Sequence, residues 1–266
     1  MNGGRKVEFL VAGVQKGGTT ALFEYLRDLP GLQLPDVKEA HFFDDEERVD
    51  WDRPDYAPYH GLFVDDGRIW GEATPIYSYW PNAVERIAAY NPAMKIILVF
   101  RDPIERAWSH WKMEYAKGKE KQPFQWCIRE GRERLHSGDP SAPGHHRVFS
   151  YVERGFYGAQ VKRLLSAFPR EQCLFLRSED LRDEPGAALR RVASLLEQTP
   201  PDSIAPRLVH AAREQYYPSQ LLPADIRLLT QIYTADLTHF SQLTGIDLED
   251  WRGSWTKSAA SANAVK

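Results

Sequence analysis

An apolar run, Val7-Glu8-Phe9-Leu10-Val11-Ala12, stops at Gly13 and passes into a basic, glycine-rich turn, Val14-Gln15-Lys16-Gly17-Gly18-Thr19-Thr20. Apolar residues then recur at helical spacing. Leu22, Phe23 and Leu26 form one face, and Thr19 or Thr20 suits the helix N-terminus. Strand, glycine turn and helix in immediate succession leave few folds open. The same arrangement makes an anion cradle. Glycines let backbone N–H groups approach an oxyanion, and the helix N-terminus adds partial positive charge. Hydroxyls and Lys16 complete the contacts, and the ligand expected is a phosphate. The alternative at this stage is a plain strand–turn–helix with an incidental lysine.

The turn is not a Walker A loop, which needs Gly, four residues, Gly, then Lys and Ser/Thr. Gly13 and Gly18 keep that spacing, but Thr19 stands at the lysine position and Lys16 precedes the glycine pair. A lysine on that side of the loop is placed to lie beside the bridging oxygen of a leaving group.

The 266 residues suffice for one α/β domain with insertions. A net charge of −3 carries no basic excess that would mark nucleic acid as the main partner. Two cysteines, Cys127 and Cys173, are too few for a disulfide framework. The run from Phe9 to Val14 is short, has Glu8 at its edge and leads straight into the glycine turn, unlike a signal peptide. No apolar run approaches membrane-spanning length. The cytoplasm is the expected setting.

Further along, Leu32-Gln33-Leu34 reads as a short extended piece, followed by Lys38-Glu39-Ala40-His41-Phe42-Phe43-Asp44. Asp45 to Asp66 is acidic and aromatic and reads as a long surface excursion. Arg68 to Glu72 is a short strand ending in Ala73-Thr74-Pro75, and 82–90 is helical. Lys95 to Phe100 is an unbroken apolar strand of the kind buried on both faces of a parallel sheet. Arg101-Asp102-Pro103 ends it, and a helix with Trp108, Ser109 and Trp111 follows. Residues 124–135 read as one helix, 136–146 as a loop, and 148–168 as a long helix interrupted near Gly155 and Gly158. Residues 173–176 are a strand, 178–181, 186–196 and 224–240 are helical, and 208–218 are irregular. A single domain over residues 1–252 is expected, with 253–266 a disordered tail. The fold class is therefore α/β, one P-loop-like domain with a mostly parallel central sheet flanked by helices. Ligands of such sheets bind at the carboxyl ends of strands. The Gln15–Thr20 loop, the Glu72 turn and Arg101-Asp102-Pro103 all fall there.

Arg101 offers a planar fork for phosphate oxygens, and Ser109, two helical turns on, adds a hydroxyl. Two anion sites at two strand ends imply a ligand with two separated phosphates; pairing of Arg101 with Asp102 or Glu105 is the alternative. Trp108 and Trp111 are expected to pack. The His145-His146 pair has no partner at metal-ligand spacing. Trp51, Tyr56, Tyr59, Trp70, Tyr77, Tyr79 and Trp80 belong either to the core or to the wall of an acceptor cleft.

With these residues assembled, Gln15–Leu22, Lys38-Glu39-Ala40-His41-Phe42-Phe43, and Phe100-Arg101-Asp102-Pro103 with Ser109 resemble the sulfotransferases that use 3′-phosphoadenosine 5′-phosphosulfate (PAPS). The likeness is to the heparan-sulfate N- and 3-O-sulfotransferase type, whose relatives include compact bacterial enzymes, and runs from about Phe9 to Leu181. It implies that Lys16, Gly17, Gly18, Thr19, Thr20 and Ala21 hold the 5′-phosphosulfate, with Lys16 at the bridging oxygen. It implies that Arg101 and Ser109 hold the 3′-phosphate, with Tyr157 and Arg213 completing the nucleotide set. Glu39 matches the catalytic base, and His41 a second catalytic position. Lys38, Glu39, His41, Asp44, Glu72 and Tyr77 are assigned to the acceptor. Around Arg213, in 212–218, the family has a basic loop closing over the cofactor, but only Arg213 supplies a positive charge here. Ala73 replaces a lysine of the sugar-polymer enzymes. The first departure weakens the match of the cofactor loop, and the second weakens transfer of acceptor specificity.

The implied reaction moves a sulfuryl group from PAPS to a hydroxyl or amine of a carbohydrate or small molecule, leaving 3′-phosphoadenosine 5′-phosphate (PAP). Sulfuryl carries less negative charge than phosphoryl, so cationic side chains can suffice without a metal. Burial beside Phe42 and Phe43 is expected to raise the pKa of Glu39 toward that of a useful base; a salt bridge with Lys38 is the alternative. A P-loop kinase or NTPase would need lysine at position 19 and a strand-end aspartate. A non-catalytic nucleotide-binding protein would have no need of Glu39.

Overall fold

The computed structural model describes residues 4–136, 145–200, 204, 216–251 and 253–255. Five strands form one sheet: β1 (Phe9–Gly13), β2 (Leu32–Gln33), β3 (Ile69–Ala73), β4 (Lys95–Phe100) and β5 (Cys173–Arg177). Their order is β2-β3-β1-β4-β5 and every pairing is parallel. Leu10 pairs with Glu72 on one side and Ile96 on the other. The chain leaves β1 toward β3 and later returns to β4 on the other flank. Connections therefore diverge between β1 and β4, where a doubly wound sheet opens its ligand crevice.

The chain divides into two compact units, Met1–Arg101 with Arg163–Ala211, and Asp102–Lys162 with Ala212–Lys266. The first holds the sheet. Ile96 to Phe100 of β4 are fully buried, as their unbroken apolar sequence requires. Helix α1 (Thr19–Arg27) presses Leu22, Phe23 and Leu26 onto Phe9, Val11, Ile97 and Val99. The expected excursion contains a short α2 (Ala57–His60) and is less superficial than its charge suggests. Tyr59 and Phe63 are buried, and Phe42 stacks on Tyr59 at 4.8 Å. Helix α3 (Ala83–Tyr90) precedes β4.

In the second unit α4 (Pro103–Ala116) begins at Asp102, whose carboxylate accepts from the N–H groups of Ile104 and Glu105. Trp108 and Trp111 stack at 4.9 Å and pack on Phe124, as expected. The single helix expected over 124–135 is instead α5 (Phe124–Cys127) and a 3-10 turn, Glu130–Leu135. Arg129, at ψ −104°, breaks the helical path between them. Residues 148–168 divide similarly into α6 (His145–Phe149), a 3-10 turn at Glu153–Gly155, and α7 (Tyr157–Ala167), within which the boundary between units falls. Helices α8 (Ser178–Asp183) and α9 (Pro185–Leu195) follow β5, and α10 (Pro223–Thr244) is the longest. The tail expected from residue 253 starts too early: Trp255 is buried and its indole N–H donates to Asp102 at 2.7 Å.

Candidate active site

Local backbone geometry builds the first part. As β1 ends, the Val14 N–H donates to the Val99 carbonyl of β4 at 3.0 Å, and the Gly17 N–H returns to the Val14 carbonyl at 2.9 Å. A Cβ on Gly17 would lie 2.1 Å from that same Val99 oxygen. Only glycine permits this approach. Gly18 has φ +102°, a left-handed conformation that glycine adopts without strain; Lys16 also has positive φ. Helix α1 then starts with no side-chain cap and no acidic residue in its first turn. Helix geometry leaves the first N–H groups without intrahelical acceptors. The sequence Lys16-Gly17-Gly18-Thr19-Thr20-Ala21 thus ends in a bare helix N-terminus, the setting for an anion.

Charge builds the second part, between Lys38 and Asp44. Lys38 Nζ lies 3.1 Å from Glu39 Oε1, and His41 Nε2 lies 3.3 Å from Glu39 Oε2. The other ring nitrogen of His41 is 2.9 Å from Asp44, which is fully buried. The imidazole therefore bridges two carboxylates. Their hydrogen bonds outweigh the opposing effect of burial and raise its pKa to about 9. Burial alone would raise the Glu39 pKa, but the hydrogen bond from His41 and the charge of Lys38 prevail and lower it to about 2. The expected upward shift of Glu39 is thus reversed, because a lysine and an imidazolium stabilise the anion more than partial burial penalises it. At neutral pH the cluster holds an anionic Glu39 and a protonated His41.

Buried hydroxyls support this segment. The His41 N–H donates to Thr74 Oγ1 at 3.4 Å, and the Phe42 and Phe43 N–H groups donate to the Tyr77 hydroxyl at 3.0 and 3.4 Å. Thr74 in turn donates to Glu72 Oε2 at 2.7 Å, and Tyr59 to Glu72 Oε1 at 3.3 Å. Burial raises the Glu72 pKa to about 7 against the effect of these hydrogen bonds. Glu72, Tyr77 and Asp44 were expected to touch the acceptor, but none has exposed surface. Each instead holds the segment from below. Thr74 was not singled out from sequence as a site residue, and its only signal was its place in the turn after Glu72.

Arg101 follows β4 in the first unit, partly exposed. Ser109 lies on α4 in the second unit, also partly exposed. Tyr157, assigned to the nucleotide, is fully buried among Phe240 and Trp251. Packing accounts for it, and it offers a ligand no surface. Arg213 lies outside the described residues.

Comparison with known proteins identifies the family. The model of the sulfotransferase domain family matches residues 6–241. The human heparan sulfate glucosamine 3-O-sulfotransferase 3B1 is 33% identical over 189 residues, 70% of this chain and 45% of its own length. The heparan sulfate glucosamine 3-O-sulfotransferase 6 of Mus musculus is 35% identical over 189 residues, 70% of this chain and 51% of its own. The chain spans about half the length of the curated relatives it matches. Among solved structures, a sulfotransferase from Alicyclobacillus acidocaldarius superposes with a TM-score of 0.77 at 27% identity, covering 94% of this chain and 100% of that one. Because the family model spans most of its length, this chain belongs to the sulfotransferase family.

Proposed function

We propose that the enzyme transfers a sulfuryl group from PAPS to a hydroxyl of a carbohydrate or small-molecule acceptor, with Glu39 as base and no metal. The observation that carries this reading is the pairing of a bare, glycine-shaped helix N-terminus with an ionised carboxylate in the same unit. The loop from Lys16 to Ala21 suits the 5′-phosphosulfate: its N–H groups are pre-organised, and Lys16 supplies positive charge where the departing phosphate gains negative charge. Arg101 is assigned to the 3′-phosphate. The donor supplies the sulfuryl group, its S–O bond to phosphate breaking as a bond to the acceptor oxygen forms.

Glu39 and His41 divide the remaining work. A protonated His41 has no lone pair for a proton, so the base is Glu39, which takes the acceptor's hydroxyl proton. Its low pKa makes it a weak base while Lys38 and His41 both hold it. An acceptor that displaces Lys38 from Oε1 would raise its basicity at the moment of use. The amine acceptors of N-sulfation are the less favoured reading, since an amine nucleophile needs less help from a base.

Calorimetry tests the donor assignment. PAP should bind much more tightly than adenosine 5′-phosphate, because one charge-assisted contact is worth about 1.5–3 kcal/mol. Arg101→Ala should weaken PAP binding at least tenfold by the same reasoning. Equal affinity for the two nucleotides would sink the assignment, and loss of transfer on adding a chelator would refute metal independence.

A further inference from the structure

Helix α4 starts on a carboxylate that is held from two directions. Asp102 is buried, and its Oδ1 accepts from the Ile104 and Glu105 N–H groups at 2.8 and 3.2 Å. Its other oxygen, Oδ2, meets the far end of the same unit's sequence. The Trp255 indole N–H donates to it at 2.7 Å, and Ser254 Oγ lies 3.4 Å away. A hydroxyl has one proton, and the Trp251 carbonyl, at 2.7 Å, is the nearer acceptor for that of Ser254. Trp255 is therefore the donor on which Oδ2 depends. The segment that carries it is packed in place. Leu248, Trp251 and Trp255 are buried, and Trp251 stacks on Phe240 of α10 at 6.2 Å and 10°.

Capping of α4 uses Oδ1 alone, so the contact with Trp255 answers a different need. Asp102 follows Arg101 directly. Neighbouring residues of opposite charge pair elsewhere in this chain, Arg182 with Asp183 at 2.7 Å and Lys38 with Glu39 at 3.1 Å. A buried carboxylate oxygen stripped of its donor carries the cost of desolvation. Burial already pushes the Asp102 pKa up to about 6 with all three N–H donors in place. The guanidinium next in the chain would relieve that cost, and it would then be lost to a phosphate, because carboxylate and phosphate use the same planar fork.

We propose that Trp255 is a positioning residue for nucleotide binding: by occupying Oδ2 it keeps the Asp102 carboxylate on its own helix and out of competition with phosphate for the Arg101 guanidinium. The proposal rests on the assignment of Arg101 to the 3′-phosphate. It gives the segment around Trp255 a part in donor affinity that acts through Asp102.

Calorimetry with PAP and with adenosine 5′-phosphate tests it, on the full chain as wild type, as Trp255→Phe, and as Trp255→Phe combined with Asp102→Asn. Loss of the indole N–H should weaken PAP at least about fivefold. Adenosine 5′-phosphate should stay within about twofold, since it has no 3′-phosphate for Arg101 to hold. Adding Asp102→Asn should return PAP to within about twofold of wild type, because asparagine still caps α4 and offers Arg101 no charge. Circular dichroism checks folding. If Trp255→Phe does not fold, the benzothiophene analogue of tryptophan at position 255 keeps the ring shape and removes the N–H, and the same results are expected of it. An unchanged PAP affinity, an equal loss for both nucleotides, or a double variant no tighter than Trp255→Phe each overturns the proposal; the last two would mark Trp255 as structural only. A wild type with no preference for PAP retires the 3′-phosphate assignment and the proposal together. A wild type that prefers PAP, with an inert Trp255→Phe, retires the proposal alone.

Discussion

Between Val14 and Thr20 the chain is shaped by its own backbone: a turn closed by Gly17 on Val14, a left-handed Gly18, and an uncapped helix start. Between Lys38 and Asp44 it is shaped by what lies beneath, with the hydroxyls of Thr74 and Tyr77 holding three successive N–H groups. The first region offers fixed dipoles whose direction follows from local geometry. The second offers charges whose protonation depends on burial and on which neighbouring side chains turn toward them. A change of residue should therefore act on them differently. In the loop, steric substitution should be decisive. In the charged segment, isosteric removal of one proton or one hydroxyl should suffice.

Gly17→Ala tests the backbone side and should have the largest effect. Its new Cβ would collide with the Val99 carbonyl, so the loop must leave β4, and nucleotide binding should be lost. Calorimetry with PAP and circular dichroism together read this; near-native affinity would show that the loop tolerates displacement.

Glu39→Gln tests the charged side without changing shape. PAP affinity should stay near wild type while single-turnover rate falls by about 10²–10⁴, the range for a lost general base. Lys16→Ala should impair both binding and rate. If Glu39→Gln turns over normally, proton removal lies elsewhere. If it abolishes nucleotide binding, the carboxylate is structural.

Glu72 sharpens the comparison through pH. Its pKa in the fold is raised above the ordinary 4.5 to about 7 by burial. A raised carboxylate contributes stability that is full below the unfolded value and lost as pH rises through the folded one. Wild type should therefore lose about 1–3 kcal/mol relative to Glu72→Gln between pH 4.5 and 8. Denaturant unfolding of both proteins at the two ends of that range measures it. A stability difference independent of pH would mean that Glu72 does not titrate there.

Tyr77→Phe should have the smallest effect of the set on turnover. It leaves the buried Phe42 and Phe43 N–H groups without their acceptor, a cost of about 1–3 kcal/mol for each donor that finds no other partner. Turnover should fall up to tenfold with PAP affinity unchanged, because the donor loop is built independently. A matching loss of PAP affinity would show that the two regions are coupled.

How much of this was legible beforehand follows the same division. The glycine turn, the α1 start and the doubly buried β4 could be read because each is dictated by nearby residues: glycine where backbone approaches backbone, apolar runs where both faces are covered. Glu39 and His41 could be located as a pair within one short segment. Their charge states could not, because the imidazolium depends on Asp44 being buried against it and Glu39 on Lys38 turning toward it. Tyr157, Glu72 and Tyr77 look like surface chemistry in a string of letters, and only packing reveals that none reaches the surface. The sequence determined which elements form and where an anion can be met, since propensity, periodicity and backbone sterics act over a few residues. The tertiary structure decided which carboxylate is ionised, which is hidden, and which hydroxyls hold the segment in place. Desolvation and charge coupling act through space, so they are set by how side chains are buried and turned toward one another, which adjacency in sequence does not fix.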